Sequence, residues 1–298
     1  VIDAGASVFE VFAFAQGLDS ARPVDWVCAV SAERAASTME NGAKDGARAG
    51  FAKAIGREWE TCTARVVYTH PDFDVDTSIA LVLEELAAPD GSVEIFWNDQ
   101  GRHAIELEVV EFPEQDGPLS EQVIVLTGGT RGITAEVALA LAERGPCTLA
   151  LMARTPPGTD PLDEAAAKAA AKAALEAEGL RATPAAVRDR VAPLKRAEEA
   201  RLNVERMREL GATVSFFPID LSSPNAVRSA LEEVRAKHGP IGGLVHGAGV
   251  EESRLIADKN EGAFHRVFDG KAVGGLALAE NLEPTAWFVS MGSVAGRF

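Results

Sequence analysis

A continuous apolar run passes directly into a glycine-rich turn in Val123-Ile124-Val125-Leu126-Thr127-Gly128-Gly129-Thr130-Arg131-Gly132-Ile133-Thr134. The run predicts a strand buried on both faces, as in parallel sheets, and residues 134–144 have the spacing of a helix. Glycines at such a junction allow a tight turn and let a pyrophosphate approach the helix N-terminus closely. A glycine turn without a ligand is the alternative. We predict a dinucleotide site that uses Thr127, Gly128, Gly129, Thr130, Arg131, Gly132 and Ile133.

The alternation of strand and helix continues to the end of the sequence. Further strands are predicted at residues 148–152, 214–219, 243–246 and 286–290. Helices are predicted at residues 163–178, 184–210, 226–238 and 261–281. This order predicts an α/β fold with a doubly wound parallel sheet of the Rossmann type. Two helices within residues 156–210 exceed a normal crossover, which predicts a helical insertion.

The first part of the chain also alternates. Helices are predicted at residues 8–18, 42–59 and 77–88, and strands at residues 26–30, 64–68, 93–97 and 103–110. Residues 113–118 have the polar, proline- and glycine-containing composition of a linker. We therefore divide the chain into residues 1–118 and residues 119–298.

An internal repeat relates the two parts. Residues 7–18 align with residues 271–282 at an offset of 264, and Trp26 then aligns with Trp287 at an offset of 261. Chance similarity between two amphipathic helices is the alternative. If the repeat is real, the first part is the back of one copy and the second part is the front of another. We expect the second copy to be incomplete at its C-terminus, because a doubly wound sheet would continue beyond a fifth strand.

The negative charge is concentrated in the first part. The formal net charge is −16, of which residues 1–118 contribute −14, with 8 basic against 22 acidic residues. An acidic surface repels phosphate, which argues against a nucleic-acid partner. We expect no membrane span and no signal segment, because neither pattern occurs. The three cysteines predict buried thiols in a reducing cytoplasm, and the lack of metal-ligand spacing predicts no metal site.

The end of the second strand after residue 119 indicates which dinucleotide would bind. A carboxylate at this place would accept a hydrogen bond from a ribose hydroxyl and select NAD. Arg154 instead offers a planar guanidinium to a 2′-phosphate, and Arg131 would reinforce it. We therefore predict NADPH, with a surface arginine that contacts no ligand as the alternative.

Several motifs together resemble a known family. The pattern Thr-Gly-x-x-x-Gly-Ile from Thr127 is similar to the cofactor turn of short-chain dehydrogenases/reductases (SDRs), with Thr134 where glycine is usual. Residues 268–275 and 288–298 are similar to segments of the ketoreductase domains of polyketide and polyunsaturated-fatty-acid synthases. This resemblance covers most of the chain. It implies that residues 1–118 are a degenerate, SDR-like structural subdomain beside a catalytic subdomain in residues 119–298.

The resemblance implies two catalytic residues, Lys271 and Ser293. In the first copy Ser7 and Ala32 stand in their places, as expected of a copy without activity. The family's catalytic tyrosine and an asparagine would follow Phe298, since the single tyrosine of this sequence lies in the first part.

The resemblance also implies further cofactor contacts at the ends of two strands. Asp220 and Leu221 would lie at the adenine, and an aspartate that caps the next helix is an equally good interpretation. The nicotinamide ribose would lie against His246, Gly247, Ala248 and Gly249. On its own, a histidine such as His246 is more often a packed side chain than a catalyst.

The implied activity is reduction of a 3-ketoacyl thioester to the 3-hydroxyacyl form by NADPH. The substrate would be carried on the phosphopantetheine of an acyl carrier protein, with other synthase domains as neighbours. A catalytically inactive cofactor-binding or structural module of such a synthase is one alternative. A free-standing short-chain alcohol dehydrogenase is another, and the fused degenerate copy argues against it. The acyl-chain length, the product stereochemistry, the companion domains and the oligomeric state stay open.

Overall fold

The computed structural model describes residues 6–31, 38–88, 91–106, 108–111 and 121–293. Contacts between Cα atoms divide the chain into two compact units. The first unit comprises Val1–Glu114, Glu251–Val267 and Gly292–Phe298, and the second comprises Gln115–Val250 and Phe268–Met291. The boundary at residues 118–119 and the linker at 113–118 fall outside the described residues, so the division into two domains stays a prediction.

The first unit contains a small sheet covered by helices. In chain order its elements are α1 (Val8–Gln16), β1 (Val24–Ser31), α2 (Met39–Glu58), β2 (Cys62–Thr69), α3 (Val75–Ala87), β3 (Glu94–Asn98) and β4 (Gly101–Ala104). The strand order is β1-β2-β3-β4, in which the first three strands are parallel and β4 is antiparallel to β3. Parallel strands joined by helices are what the alternating pattern predicts.

The strand predicted at residues 103–110 is wrong beyond Ala104. In the β3–β4 pair, Asn98 lies opposite Gly101 and Ile95 lies opposite Ala104. By this register Glu94, the first residue of β3, would lie opposite Ile105, so residues after Ile105 pass the beginning of β3 and have no strand residue opposite them. Without that partner an apolar residue such as Val109 stays 99% exposed.

The second unit contains a five-stranded parallel sheet. Its elements are β5 (Val123–Thr127), α4 (Gly132–Glu143), β6 (Thr148–Ala153), α5 (Glu164–Ala177), α6 (Pro184–Glu209), β7 (Thr213–Pro218), α7 (Pro224–His238), β8 (Ile241–His246), α9 (Gly274–Glu280) and β9 (Trp287–Ser290). All five residues of β5 are buried. The strand order is β7-β6-β5-β8-β9 and every pair is parallel. The chain reverses its direction of winding between β5 and β8, which confirms the predicted doubly wound α/β fold of Rossmann type.

The helix predicted at residues 261–281 is interrupted. It consists of α8 (Glu261–Phe268), a π-helical turn (Asp269–Val273) and α9. Lys271 lies in the π-helical turn, where the backbone is wider than in the flanking α-helix. A short 3₁₀ turn (Ile256–Asp258) precedes α8.

Two helices, α5 and α6, form the insertion between β6 and β7. Side chains of Asp163 and Thr183 cap their N-termini by accepting hydrogen bonds from backbone N–H groups. Val204 and Met207 of α6 are buried against α4, in the same apolar cluster as Ala135 and Leu139. Among the residues that the structure describes, no helix is both long enough and apolar enough to cross a membrane.

Substitution of two adjacent glycines in β8 tests how β9 packs on the sheet. A Cβ atom added at Gly243 would lie 2.0 Å from the Trp287 ring, whereas one added at Gly242 would have no heavy atom nearer than 3.4 Å. Gly243→Ala should lower the free energy of unfolding by about 1–3 kcal/mol, because the indole must move. Gly242→Ala, in the same strand, should change it by less than about 0.5 kcal/mol. Urea unfolding followed by circular dichroism measures both; equal effects would contradict this packing.

Candidate functional site

Two loops meet at the carboxyl ends of β5 and β8, where the winding of the sheet reverses. Gly128 follows β5 with φ +77°, a conformation that L side chains rarely adopt. A Cβ atom added there would lie 3.0 Å from the backbone of Ala248, which follows β8. Gly128 is therefore required both by its conformation and by the contact between the loops. Crevices at such a reversal are where doubly wound sheets bind ligands.

The glycine turn (residues 128–132) opens towards solvent at the start of α4. Gly132 is the first residue of this helix, has φ +60°, and a Cβ atom added to it would meet no heavy atom within 4 Å. Ile133 is 75% exposed, and Gly129 packs against Leu126. Because the first turn of a helix leaves N–H groups without intrahelical partners, this open space fits a phosphate group. The residues present thus fit the dinucleotide predicted for them.

Thr134 and Gly247 form a complementary pair. Thr134 is buried, and its Oγ1 would lie 2.0 Å from a Cβ atom added at Gly247. The side chain at Thr134 therefore takes the space that any residue larger than glycine at position 247 would need. The departure from the usual glycine at Thr134 is matched by a small residue on the opposite loop and leaves the open space at Gly132 intact.

A chain of hydrogen bonds runs through the buried ring of His246. The backbone N–H of Ala248 donates to Thr127 Oγ1 at 3.2 Å, and Thr127 Oγ1 lies 2.7 Å from His246 Nδ1. His246 Nε2 lies 3.0 Å from the backbone carbonyl oxygen of Lys271. Because a carbonyl only accepts, Nε2 carries the proton and Nδ1 accepts the hydroxyl hydrogen of Thr127. Burial, and secondarily the charge of Lys271, lower the pKa of His246 to about 4, so the ring is neutral at pH 7.

Lys271 is held beside the same loop. Its Nζ donates to the carbonyl oxygen of His246 at 3.2 Å, and its Cδ would lie 3.8 Å from a Cβ atom at Gly249. Burial lowers the pKa of the Lys271 ammonium below its usual value. The His246 carbonyl also accepts from the N–H of Met291, 2.9 Å away. The residue after β9 and the side chain of Lys271 are thus hydrogen-bonded to the same carbonyl group. The structure thus brings together Thr127, His246, Ala248 and Lys271.

Arg131 and Arg154 provide positive charge at the two loops that follow β5 and β6. Both side chains are exposed, and neither forms an ion pair within the described part of the chain. Arg131 is the N-cap residue of α4, but its side chain makes no capping hydrogen bond. Two exposed guanidinium groups of this kind are suited to bind an anion.

Asp220 makes local hydrogen bonds in the loop after β7 and does not cap the next helix, so the capping interpretation is wrong. It accepts hydrogen bonds from the Ser222 N–H at 3.1 Å and from the Ser222 hydroxyl at 2.8 Å. These bonds, with a smaller contribution from the charge of Arg154, lower the pKa of Asp220. The N-cap of α7 is Ser223 rather than Asp220, and Leu221 is buried in the core against Gly274. The adenine contacts of Asp220 and Leu221 stay predictions.

Ser293 is exposed and lies three residues after the end of β9. The contacts assign it to the first unit and Lys271 to the second, so the catalytic pair of Ser293 with Lys271 stays a prediction. Ala32 and residues 294–298, which carry part of the resemblance, lie outside the described residues.

The helical insertion contacts the glycine turn. This contact was not predicted from the sequence. Asn203 Nδ2 donates to the carbonyl oxygen of Thr130 at 3.1 Å, and the N–H of Gly132 donates to Glu199 Oε1 at 3.4 Å. Their spacing of four residues places both side chains on one face of α6. That spacing is common on solvated helices and carries no signal of which loop they contact.

Comparison with known proteins identifies relatives for this chain. A family model described as KR domain matches residues 122–298, which is more than half of the chain. One relative is a polyunsaturated fatty acid synthase polypeptide of Thraustochytrium sp., 27% identical over 252 residues, or 78% of this chain and 9% of that protein. Polyketide synthase PksM of Bacillus subtilis is 28% identical over 106 residues, or 34% of this chain and 2% of that protein. The chain therefore spans a small fraction of these curated relatives.

Solved structures share the fold. A ketoreductase domain from the bacillaene assembly line superposes with a TM-score of 0.66 at 22% identity, covering 97% of this chain and 60% of that one. A structure described as A-type ketoreductases from modular polyketide synthase gives a TM-score of 0.69 at 20% identity, covering 97% and 54%.

The neutral state of the buried His246 ring predicts how the free energy of unfolding depends on pH. The pKa of His246 is about 4 in the folded chain and about 6.5 in the unfolded chain. Between these pH values the unfolded chain therefore binds a proton at His246 and the folded chain does not. This contribution to stability is complete above pH 6.5 and should decline by roughly 2–3 kcal/mol as the pH falls towards 4. His246→Gln, which can still donate and accept, should have a shallower decline between pH 7 and 4.5.

The measurement is urea unfolding at a series of pH values. His103→Gln, a change at an exposed histidine of the first unit, serves as the control and should keep the wild-type decline. A wild-type decline in His246→Gln, or a titration of the His246 ring near pH 6.5 by NMR, would contradict the hydrogen-bond assignment.

Proposed function

Because this chain belongs to the KR-domain family, we propose that its second unit takes part in the NADPH-dependent reduction of a 3-ketoacyl thioester to the 3-hydroxyacyl form. The observation that supports this most is the arrangement around His246. One buried ring joins the strand that precedes the glycine turn to the turn that carries Lys271. The proposed site for dinucleotide phosphates and a lysine with a lowered pKa would therefore lie at the same edge of the sheet.

The cofactor proposed for this site is NADPH. When bound, the nicotinamide supplies the hydride that reduces the carbonyl carbon. The N–H groups at the start of α4 would hold the pyrophosphate, with Arg154 and Arg131 available for the 2′-phosphate. The loop of Gly247, Ala248 and Gly249 would lie beside the nicotinamide ribose. The small residues of that loop allow this close approach.

The reactive groups proposed from the family resemblance are Ser293 and Lys271. The Ser293 hydroxyl would donate a hydrogen bond to the substrate carbonyl oxygen as negative charge develops there. A tyrosine beyond Phe298 would donate the proton, and the Lys271 ammonium would favour its ionised form. In this arrangement His246 has a positioning role, because both of its ring nitrogens are hydrogen-bonded within the protein and Nε2 donates to the backbone carbonyl of Lys271.

The proposed partners follow from the relatives. These relatives are multidomain synthases of which this chain would cover only a small part. We therefore propose that the substrate arrives on the phosphopantetheine arm of an acyl carrier protein, and that other synthase domains are neighbours. We also propose a cytoplasmic location, which the three free cysteines fit.

Turnover in the complete protein tests the two reactive groups. Lys271→Ala and Ser293→Ala should each lower kcat/KM for a 3-ketoacyl thioester by about 10²-fold or more, because each removes a group that acts in the transition state. Lys172→Ala, a change at an exposed lysine of α5, is the control and should leave turnover unchanged. Oxidation of NADPH at near wild-type rates by both variants would refute the roles. Binding of NADPH without turnover by the unmutated protein would instead favour an inactive module.

A binding experiment tests the choice of NADPH over NADH. Arg154→Ala should weaken NADPH binding by about 10-fold or more, the contribution expected of a charge-assisted hydrogen bond, and leave NADH binding within about twofold. Arg188→Ala, at an exposed arginine of α6, is the control. Calorimetric titration with each dinucleotide measures the effect. An equal loss for NADPH and NADH would show that Arg154 does not select the 2′-phosphate.

A further inference from the structure

The helical insertion places a carboxylate at the glycine turn. Glu199 Oε1 lies 3.4 Å from the backbone nitrogen of Gly132, the first residue of α4. One helical turn further along α6, Asn203 donates to the carbonyl oxygen of Thr130. The two contacts fix α6 against both sides of the turn that is proposed to bind the dinucleotide.

The position of α6 is set by packing on both of its sides. Val204 and Met207 lie in the apolar cluster that includes Leu139 of α4, so Glu199 is carried by a helix that is packed on the helix it contacts. On the other side, the N–H of Gly158 donates to the carbonyl oxygen of Ala197 at 2.9 Å. Because Gly158 belongs to the loop after β6, the insertion is hydrogen-bonded to the loop that carries Arg154 as well as to the glycine turn.

Glu199 occupies a place that suits an anion. The start of a helix has a positive potential and unpaired N–H groups, so a carboxylate there is stabilised. Glu199 is exposed and has no ion pair with any residue that the structure describes, whereas its neighbour Glu198 pairs with Arg201. The Glu199 carboxylate therefore contacts the same donor that a phosphate would need, and it forms no ion pair of its own among the described residues.

We propose that Glu199 is a residue that determines cofactor affinity, by competing with a dinucleotide phosphate for the start of α4. In the free protein its carboxylate accepts the N–H of Gly132. When the phosphate binds, the exposed side chain turns away and leaves a negative charge nearby, which weakens binding. The inference rests on the proposed dinucleotide function and adds to it a role for the insertion.

Glu199→Gln is the variant that isolates the charge. Glutamine keeps the size of the side chain and an oxygen that accepts from Gly132, so only the negative charge is lost. Glu209→Gln removes the same charge from the exposed end of the same helix and is the matched control. Ten residues of helix, about 15 Å, separate the two positions.

The experiment is a fluorescence titration of the wild-type protein and both variants with NADPH at about 0.1 M salt, where the Debye length is about 10 Å. We expect the Kd of Glu199→Gln to be about three- to fivefold lower than that of the wild type, the range typical of a single charge at a helix N-terminus. Glu209→Gln should stay within about 1.5-fold of the wild type, because a charge more than a Debye length away is screened. The advantage of Glu199→Gln should shrink at high salt.

Each outcome separates this inference from the proposed function. Equal affinities of the wild type and Glu199→Gln would overturn the inference alone. Weaker binding by Glu199→Gln would also overturn it, since the carboxylate would then contact the cofactor favourably, as it would with a ribose hydroxyl. No binding of NADPH by any of the three proteins would overturn the proposed function together with the inference.

Discussion

The hydrogen bonds of one buried, neutral histidine connect the parts of the candidate site. His246 ends β8, accepts from the Thr127 hydroxyl at the end of β5, and donates to the backbone carbonyl of Lys271. Thr127 in turn accepts from the N–H of Ala248, so every polar group in the chain of hydrogen bonds has a partner. A charged ring could not be buried here at low cost, which is why its pKa is low. The distance between the glycine turn and Lys271 thus depends on a ring that must stay neutral, with its one proton on Nε2.

The loops above this histidine are close enough that side-chain size becomes a constraint. Gly128 lies against the backbone of Ala248, and Gly247 lies under Thr134. Open space is found at Gly132, where a Cβ atom would meet no heavy atom within 4 Å at the start of the helix. The helical insertion also borders the glycine turn, through hydrogen bonds made by Glu199 and Asn203. A phosphate bound there, as we propose, would meet backbone donors on one side and a carboxylate on the other, so its affinity would depend on a balance of charge as well as on the glycine motif.

The local pattern of apolar residues was enough to predict most of the second unit, because a short continuous apolar run has few interpretations other than a strand buried in a parallel sheet. The apolar run of β5 predicts its limits at Val123 and Thr127 as observed. The π-helical turn around Lys271 was not predictable, since the apolar spacing continues across it. The strand predicted at 103–110 failed because its length depends on the register with β3. Glu199 and Gly132 are 67 residues apart, and only the docking of the insertion brings them together.

The central claim is that a dinucleotide binds at the glycine turn. Hydrogen–deuterium exchange of the protein with and without saturating NADPH tests it at the level of single peptides. The account predicts slower exchange of backbone amides in residues 128–133, which would donate to phosphate, and unchanged exchange in the exposed helix α5. Unchanged exchange across residues 128–133 under saturating NADPH would contradict the account.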